Sequence, residues 1–106
     1  MEKYKKQAKN MRECYILANE LYGNYCVVSH ERAVDFHHVI KRSQSKKMQL
    51  IPMNCIPLSR EIHTKIESNI NPITGNRMKS WSDRAAFYSQ LLGWKWDILL
   101  ELLNTC

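Results

Sequence analysis

The sequence predicts an α+β fold in which helices at both ends of the chain flank a short region of strands. Both ends carry apolar residues at helical spacing, whereas the middle has short apolar segments separated by prolines and by a polar stretch. The chain has 106 residues, of which 44% are hydrophobic and 25% charged, so it has the size and composition of one globular domain over residues 1–106. These values exclude a disordered chain and a second full domain.

The N-terminal segment predicts a single helix over residues 3–22. Its apolar positions recur every three or four residues, at Tyr4, Ala8, Met11, Tyr15, Ala18 and Tyr22. Gly23 and Asn24 follow as a C-cap pair, since glycine is common where a helix ends. The polar face of this helix is rich in lysine and predicts either a solvated surface or a contact with nucleic acid.

Two segments after this helix have the composition of β-strands, residues 25–29 and 33–40. Residues 41–47 then form a basic loop without an acidic residue. Short apolar segments at 48–52 and 54–58 predict that this loop returns into a brief strand.

A second helix is predicted over residues 60–68. Ser59 precedes it as an N-cap, because a serine hydroxyl at this position accepts a hydrogen bond from the first turn. The turn-rich stretch 69–76 ends it.

Residues 80–104 predict a further helical region, which Gly93 kinks or splits. Its apolar side is formed by Trp81, Ala85, Tyr88, Leu92, Ile98, Leu99 and Leu102. Residues 85–106 contain one basic residue, while residues 1–84 contain the other fifteen of the sixteen. We therefore expect the C-terminal region to serve in packing.

The formal net charge of +6 predicts a polyanionic partner. No apolar run approaches the roughly 18 residues that span a bilayer, so we expect a cytoplasmic protein without a membrane partner, in the host cytoplasm if it is encoded by a phage. The four cysteines form no C-x-x-C pair and are expected to be free thiols: Cys14, Cys26, Cys55 and Cys106.

Histidine and asparagine residues in the middle of the chain form a specific pattern. His37 and His38 are adjacent in a predicted strand, Asn54 follows His38 by sixteen residues, and His63 follows Asn54 by nine residues. The stretches DFHHVIKRS and NCIPLSREIH resemble the HNH motif of the ββα-metal endonucleases, also called His-Me finger nucleases. The resemblance covers about residues 33–67, a third of the chain, in residue types, order and spacing.

This resemblance implies a ββα-metal core and a DNA endonuclease that hydrolyses phosphodiester bonds. By position, His38 matches the general base, His37 and His63 match metal ligands, and Asn54 matches the residue that holds the hairpin and orients the base. One divalent ion is implied, Mg²⁺, Mn²⁺, Ni²⁺ or Zn²⁺. The small stand-alone size resembles nucleases of phages and prophages.

Residues around the motif complete the predicted site. Glu67, one helical turn after His63, stands where some relatives have a further ligand. Asp35 is on the same strand face as His37, so it either orients His37 or is a third ligand. Arg42 is expected to clamp a phosphate, and Lys41, Lys46 and Lys47 to bind the DNA backbone.

Two other functions remain open from the sequence. The first is a module of the same fold that binds nucleic acid without cleaving it. The second is a structural zinc domain that uses Cys26, His30 and the adjacent histidines. A homo-oligomer joined through the apolar C-terminal segment is also left open beside the monomer.

Overall fold

The computed structural model describes residues 1–105, and these residues form an α+β fold with one two-stranded antiparallel sheet and several helices. In chain order the elements are α1 (Glu2–Lys5), α2 (Met11–Tyr22), β1 (Asp35–His38), two 3-10 helices (Lys46–Leu50 and Pro52–Asn54), β2 (Cys55–Leu58), α3 (Arg60–Glu67), α4 (Trp81–Leu92) and α5 (Trp94–Asn104). The expectation of a free thiol at Cys106 lies outside the described residues.

The N-terminal region is two helices, so the prediction of one helix over residues 3–22 is wrong. Asn10 is the N-cap of α2, and its side chain accepts a hydrogen bond of 2.9 Å from the Glu13 backbone. The Glu13 carboxylate accepts in turn from the backbone N–H of Lys9. Between the helices, the Ala8 N–H donates to the Leu50 carbonyl at 2.8 Å. Local capping together with this long-range bond therefore interrupts the helical pattern.

The region before β1 is a tight loop, so the prediction of a strand over residues 25–29 is wrong. Tyr25 makes only an isolated bridge with Arg32, and the His30 N–H donates back to the Cys26 carbonyl at 2.9 Å. Cys26 is buried although it lies in a turn. Its apolar environment explains why the segment has the composition of a strand.

The sheet pairs β1 with β2 in antiparallel orientation. The register places His37 opposite Ile56 and His38 opposite Cys55. All four residues of β2 are buried, and α2 packs against this strand, with the Sγ atoms of Cys14 and Cys55 3.4 Å apart. The strand that bears the two histidines therefore rests on a buried partner.

Helix α3 begins as predicted, with the Ser59 hydroxyl accepting from the Ile62 N–H. The C-terminal region is divided at Gly93, whose φ of +59° is unfavourable for residues with a side chain and ends α4. Helices α4 and α5 contribute Phe87, Tyr88, Leu92, Trp96 and Leu99 to the core. Within residues 1–105, no helix combines the length and apolar character needed to cross a membrane.

Candidate metal and phosphate site

A surface depression of about 270 Å³ lies where β1, α3 and the loop after β1 meet. It is lined by Phe36, His37, His38, Lys41, Arg42, Gln49, His63 and Glu67. The fold thus brings together residues that are up to 31 positions apart in the sequence, including both adjacent histidines and the helix-borne histidine. The depression is the centre of the candidate site.

Three side chains in this depression form a group that could hold a metal ion. One donor atom from each of His37, His63 and Glu67 lies within 4.8 Å of the others. Glu67 Oε1 is 3.1 Å from His37 Nδ1 and 3.4 Å from His63 Nε2. His63 and Glu67 are on the same side of α3 because they are four residues apart. The structure therefore places Glu67 with the two histidines, as its spacing from His63 predicts.

His37 is buried, with only 3% of its surface exposed. Its Nδ1 faces Glu67, and its Nε2 lies 2.8 Å from the Tyr88 hydroxyl. Burial lowers the pKa of His37 to about 4, although the nearby Glu67 carboxylate acts in the opposite direction. The imidazole is therefore neutral at pH 7, which is the form that binds a metal.

Asp35 contacts His63 rather than His37. His63 Nδ1 is 3.2 Å from Asp35 Oδ2, and Asp35 is outside the group of three candidate ligands. Arg60 donates to both carboxylate oxygens, at 2.8 and 3.2 Å. The Arg60 guanidinium, with a smaller contribution from His63, holds the pKa of Asp35 below its usual value.

The expectation that Asp35 orients His37 or is a third ligand is therefore corrected, because its carboxylate lies against Nδ1 of His63 and outside the group of candidate ligands. A carboxylate only accepts hydrogen bonds, so His63 Nδ1 carries the proton. The Nε2 atom of His63, 3.4 Å from Glu67 Oε1, is then the nitrogen that could bind an ion. Asp35 fixes this tautomer.

His38 lies in the same depression, but its environment differs from that of His37. It is partly exposed, and its Nε2 is 3.0 Å from the backbone carbonyl of Gln49. Because a carbonyl can only accept, Nε2 carries the proton and Nδ1 is the basic nitrogen. A histidine held in this way can accept a proton from water.

Asn54 is fully buried and connects the end of β1 to the chain that returns from the basic loop. Its side chain accepts from the Ile40 N–H at 2.7 Å and donates to the carbonyls of Ile40 and Met48, each at 2.9 Å. Met48 precedes Gln49, whose carbonyl holds His38. Asn54 therefore fixes both the backbone that follows β1 and the segment that leads to Gln49, and it does not contact the group of candidate ligands.

The predicted DNA-binding cations occupy different positions. Lys41 and Arg42 are exposed at the depression, and Arg42 also borders an adjoining hollow that includes Lys46. Lys47 instead donates from Nζ to the carbonyl of Thr105. A phosphate in the depression would thus be closest to Lys41 and Arg42.

Sequence reasoning missed Tyr88, Gln49 and Arg60 as neighbours of the site. The spacing of apolar residues places Tyr88 on the apolar side of a helix, although a buried tyrosine usually needs a hydrogen-bond partner for its hydroxyl. Nothing in the local pattern identifies that partner as His37, which is 51 residues away. Gln49 acts through its backbone carbonyl and leaves no signature in residue type.

The structure does not bring Cys26 or His30 into the group of candidate ligands. Both border a separate depression next to Tyr22 and Lys95, and Cys26 Sγ accepts from the Ser29 backbone N–H. Among residues 1–105, the zinc site suggested by Cys26, His30 and the adjacent histidines is therefore not formed.

Comparisons of the chain with known protein families, curated proteins and solved structures find no match.

Proposed function

We propose that this protein is a metal-dependent DNA endonuclease of the HNH, or ββα-metal, type. The observation that carries the proposal is that one depression contains three candidate metal ligands, the separately held His38 and two cations. The chain order β1, β2, α3 with a histidine pair on β1 and a histidine on α3 supports the same assignment. None of these features alone is specific, but phosphodiester hydrolysis uses all of them.

The three candidate ligands suit a divalent ion. Two imidazole nitrogens and one carboxylate are typical ligands of Mn²⁺, Ni²⁺ or Zn²⁺, and a site with only three protein ligands leaves positions for water and phosphate, as Mg²⁺ also requires. His37 is held neutral by burial, and Asp35 orients His63. A bound ion would supply Lewis-acid stabilisation of the charge that develops on the phosphate and on the departing oxygen.

His38 acts as the general base in this proposal. Gln49 holds its Nε2, so Nδ1 accepts the proton as the oxygen of a water molecule attacks phosphorus. The bond from phosphorus to the 3′ oxygen breaks, and that oxygen leaves as a hydroxyl once it gains a proton. The products are a 5′-phosphate and a 3′-hydroxyl, and the reaction consumes one water molecule.

Arg42 and Lys41 bind the phosphate backbone on the open side of the depression. Both side chains are exposed, and neither forms an ion pair with another of the described residues. Arginine can donate two parallel hydrogen bonds to one phosphate, whereas lysine contributes a mobile charge. Lys46, in the adjoining hollow, extends this positive surface so that it can contact further phosphates of the DNA strand.

The test is cleavage of supercoiled plasmid by the purified protein with Mg²⁺, Mn²⁺, Ni²⁺ or Zn²⁺. We expect the parent to convert the supercoiled plasmid to nicked or linear forms with at least one of these ions. His38→Ala should lower the rate by about 10²- to 10⁴-fold while metal binding, measured by calorimetry, is retained. His63→Ala should lose both metal binding and cleavage.

The matched control is His30→Asn, at a histidine outside the depression. His30 has a φ of +65°, which asparagine tolerates better than most residues, so this variant should cleave as the parent does. A parent that binds DNA in a salt-sensitive way but cleaves with none of these ions would contradict the nuclease and support the non-cleaving module. Tightly held zinc whose removal unfolds the protein would support a structural zinc domain instead.

A further inference from the structure

We propose that Tyr88 is a positioning residue of the metal site, where its hydroxyl stabilises the tautomer of His37 that leaves Nδ1 free to bind the ion. The inference rests on the metal site of the proposed function but not on nuclease activity. It assigns a role in the site to α4, a helix of the C-terminal region that the sequence predicted to serve only in packing.

The position of Tyr88 is closely fixed by its neighbours. The residue is 2% exposed, and its ring packs against Phe87 and Trp96, with centroids 5.1 and 5.7 Å away. The hydroxyl is directed at His37 Nε2, 2.8 Å away. The packed, buried ring of Tyr88 therefore holds the hydroxyl at the site.

Without a metal ion, the partners of His37 specify one arrangement of protons. The Glu67 carboxylate can only accept, so Nδ1 carries the proton and donates to Glu67. Nε2 is then the acceptor, and the Tyr88 hydroxyl donates to it. Both ring nitrogens are satisfied although the side chain is buried.

Coordination through Nδ1 requires the opposite tautomer. Nδ1 must then present a lone pair, so the proton of the neutral ring resides on Nε2. The Tyr88 oxygen can accept from this N–H after its hydroxyl hydrogen rotates away. Because a tyrosine hydroxyl both donates and accepts, Tyr88 is compatible with the protein before and after metal binding.

Among residues 1–105, only Tyr88 forms a hydrogen bond with His37 Nε2. Replacing it with phenylalanine would keep the ring but remove the partner of Nε2 in both tautomers. The loss is larger in the metal-binding tautomer, because the N–H of an imidazole bound to a cation forms a charge-assisted, stronger hydrogen bond. Partners that orient a metal-binding histidine typically change metal affinity by about 10- to 100-fold when they are removed. We expect an effect of that size.

The experiment compares Tyr88→Phe with Tyr22→Phe in calorimetric titrations with Mn²⁺ and Zn²⁺. Tyr22 is a matched control because its mostly buried hydroxyl donates to the Met53 carbonyl at 2.6 Å, away from the site. Tyr88→Phe should weaken metal binding by about 10- to 100-fold, whereas Tyr22→Phe should bind as the parent does. Equal affinity in folded Tyr88→Phe and in the parent would overturn the inference.

Ring ¹⁵N chemical shifts of His37 in the parent provide a second readout that needs no variant. Addition of Zn²⁺ should move the proton from Nδ1 to Nε2, and coordination through Nε2 would overturn the inference. A parent that binds no divalent ion would overturn both proposals. A parent that binds the ion through His37 Nδ1 but does not cleave DNA would contradict the proposed nuclease function and leave the role of Tyr88 standing.

Discussion

The two faces of β1 place adjacent histidines in different environments. On the α3 side, His37 is buried between Glu67 and Tyr88, and both of its ring nitrogens have side-chain partners. On the α2 side, the Phe36 ring stacks on Tyr15, and His38 is partly exposed with one ring nitrogen bound to a backbone carbonyl. The alternation of a strand thus separates two neighbouring residues of identical type.

The difference shows how one residue type can supply two chemical roles. A neutral histidine with a fixed ring is suited to be a ligand, and a partly exposed histidine with one free nitrogen is suited to exchange protons with water. The two adjacent histidines therefore carry different chemistry although both line the depression, because His37 is buried between two side chains and His38 is partly exposed.

The largest effect is expected from Asn54→Ala, which removes the hydrogen bonds that join the end of β1 to the returning chain. The variant leaves the buried N–H and carbonyl of Ile40 without their partner. It also removes one of two hydrogen bonds to the Met48 carbonyl, which still accepts from the Ile51 N–H. We expect the free energy of unfolding in urea to fall by about 2 to 4 kcal/mol, because unsatisfied buried polar groups are costly.

The matched variant is Asn71→Ala. Asn71 also bonds to backbone N–H groups, those of Ile73 and Thr74, but it does so at the surface. It should change stability by less than about 1 kcal/mol because water can replace these contacts. Similar losses in both variants would show that Asn54 has no special structural role.

The next effect is a dependence of stability on pH that comes from the buried face. Folding lowers the pKa of His37 to about 4, while a histidine in the unfolded chain has a pKa of about 6.5. As pH falls below about 6.5, the unfolded chain binds a proton that the folded state resists, so folding stability decreases until about pH 4. The loss from pH 7 to pH 5 should be on the order of 2 kcal/mol.

Urea unfolding of metal-free protein in a chelator measures this dependence. His37→Gln should reduce the slope between pH 7 and 5, because glutamine is polar but does not titrate. Asn71→Ala, which changes no titratable group, should keep the slope of the parent. An unchanged slope in His37→Gln would assign the pH dependence to other groups.

The smallest effects are expected from Asp35 and its exposed partner Arg60, on metal affinity and on thermal stability respectively. Asp35→Asn should weaken metal binding by about tenfold, since the amide no longer fixes the tautomer of His63 as strongly. Arg60→Ala should leave the thermal unfolding midpoint nearly unchanged, because the Arg60 side chain is 75% exposed and exposed ion pairs add little. Calorimetric titration and thermal melts measure the two outcomes. Equal metal affinity in Asp35→Asn and the parent would remove Asp35 from the site.

Much of the site could be predicted because its signals are local. The adjacent histidines, the Ser59 cap and the helix after it lie within short segments whose patterns specify strand, cap and helix. The spacing of His63 and Glu67 also places both on one side of a helix without reference to the rest of the fold.

The features that the sequence did not reveal depend on distant contacts. Tyr88 meets His37 only after α4 packs against the core, and the Ala8 bond to Leu50 that accompanies the break after α1 joins segments 42 residues apart. The composition of residues 25–29 predicts a strand although these residues form a loop, because buried apolar side chains occur in turns as well as in sheets. Apolar composition reports burial and does not distinguish these backbone forms.

The contact between Cys14 and Cys55 allows the rate at which α2 separates from β2 to be measured. Both thiols are fully buried where α2 covers β2, and Cys55 is the register partner of His38. An alkylating reagent can reach them only when this contact opens, so the labelling rate of each cysteine, resolved by peptide mass spectrometry, reports how often α2 separates from the strand behind His38. The sequence thus carries its own probe of local unfolding, with no dye or introduced residue.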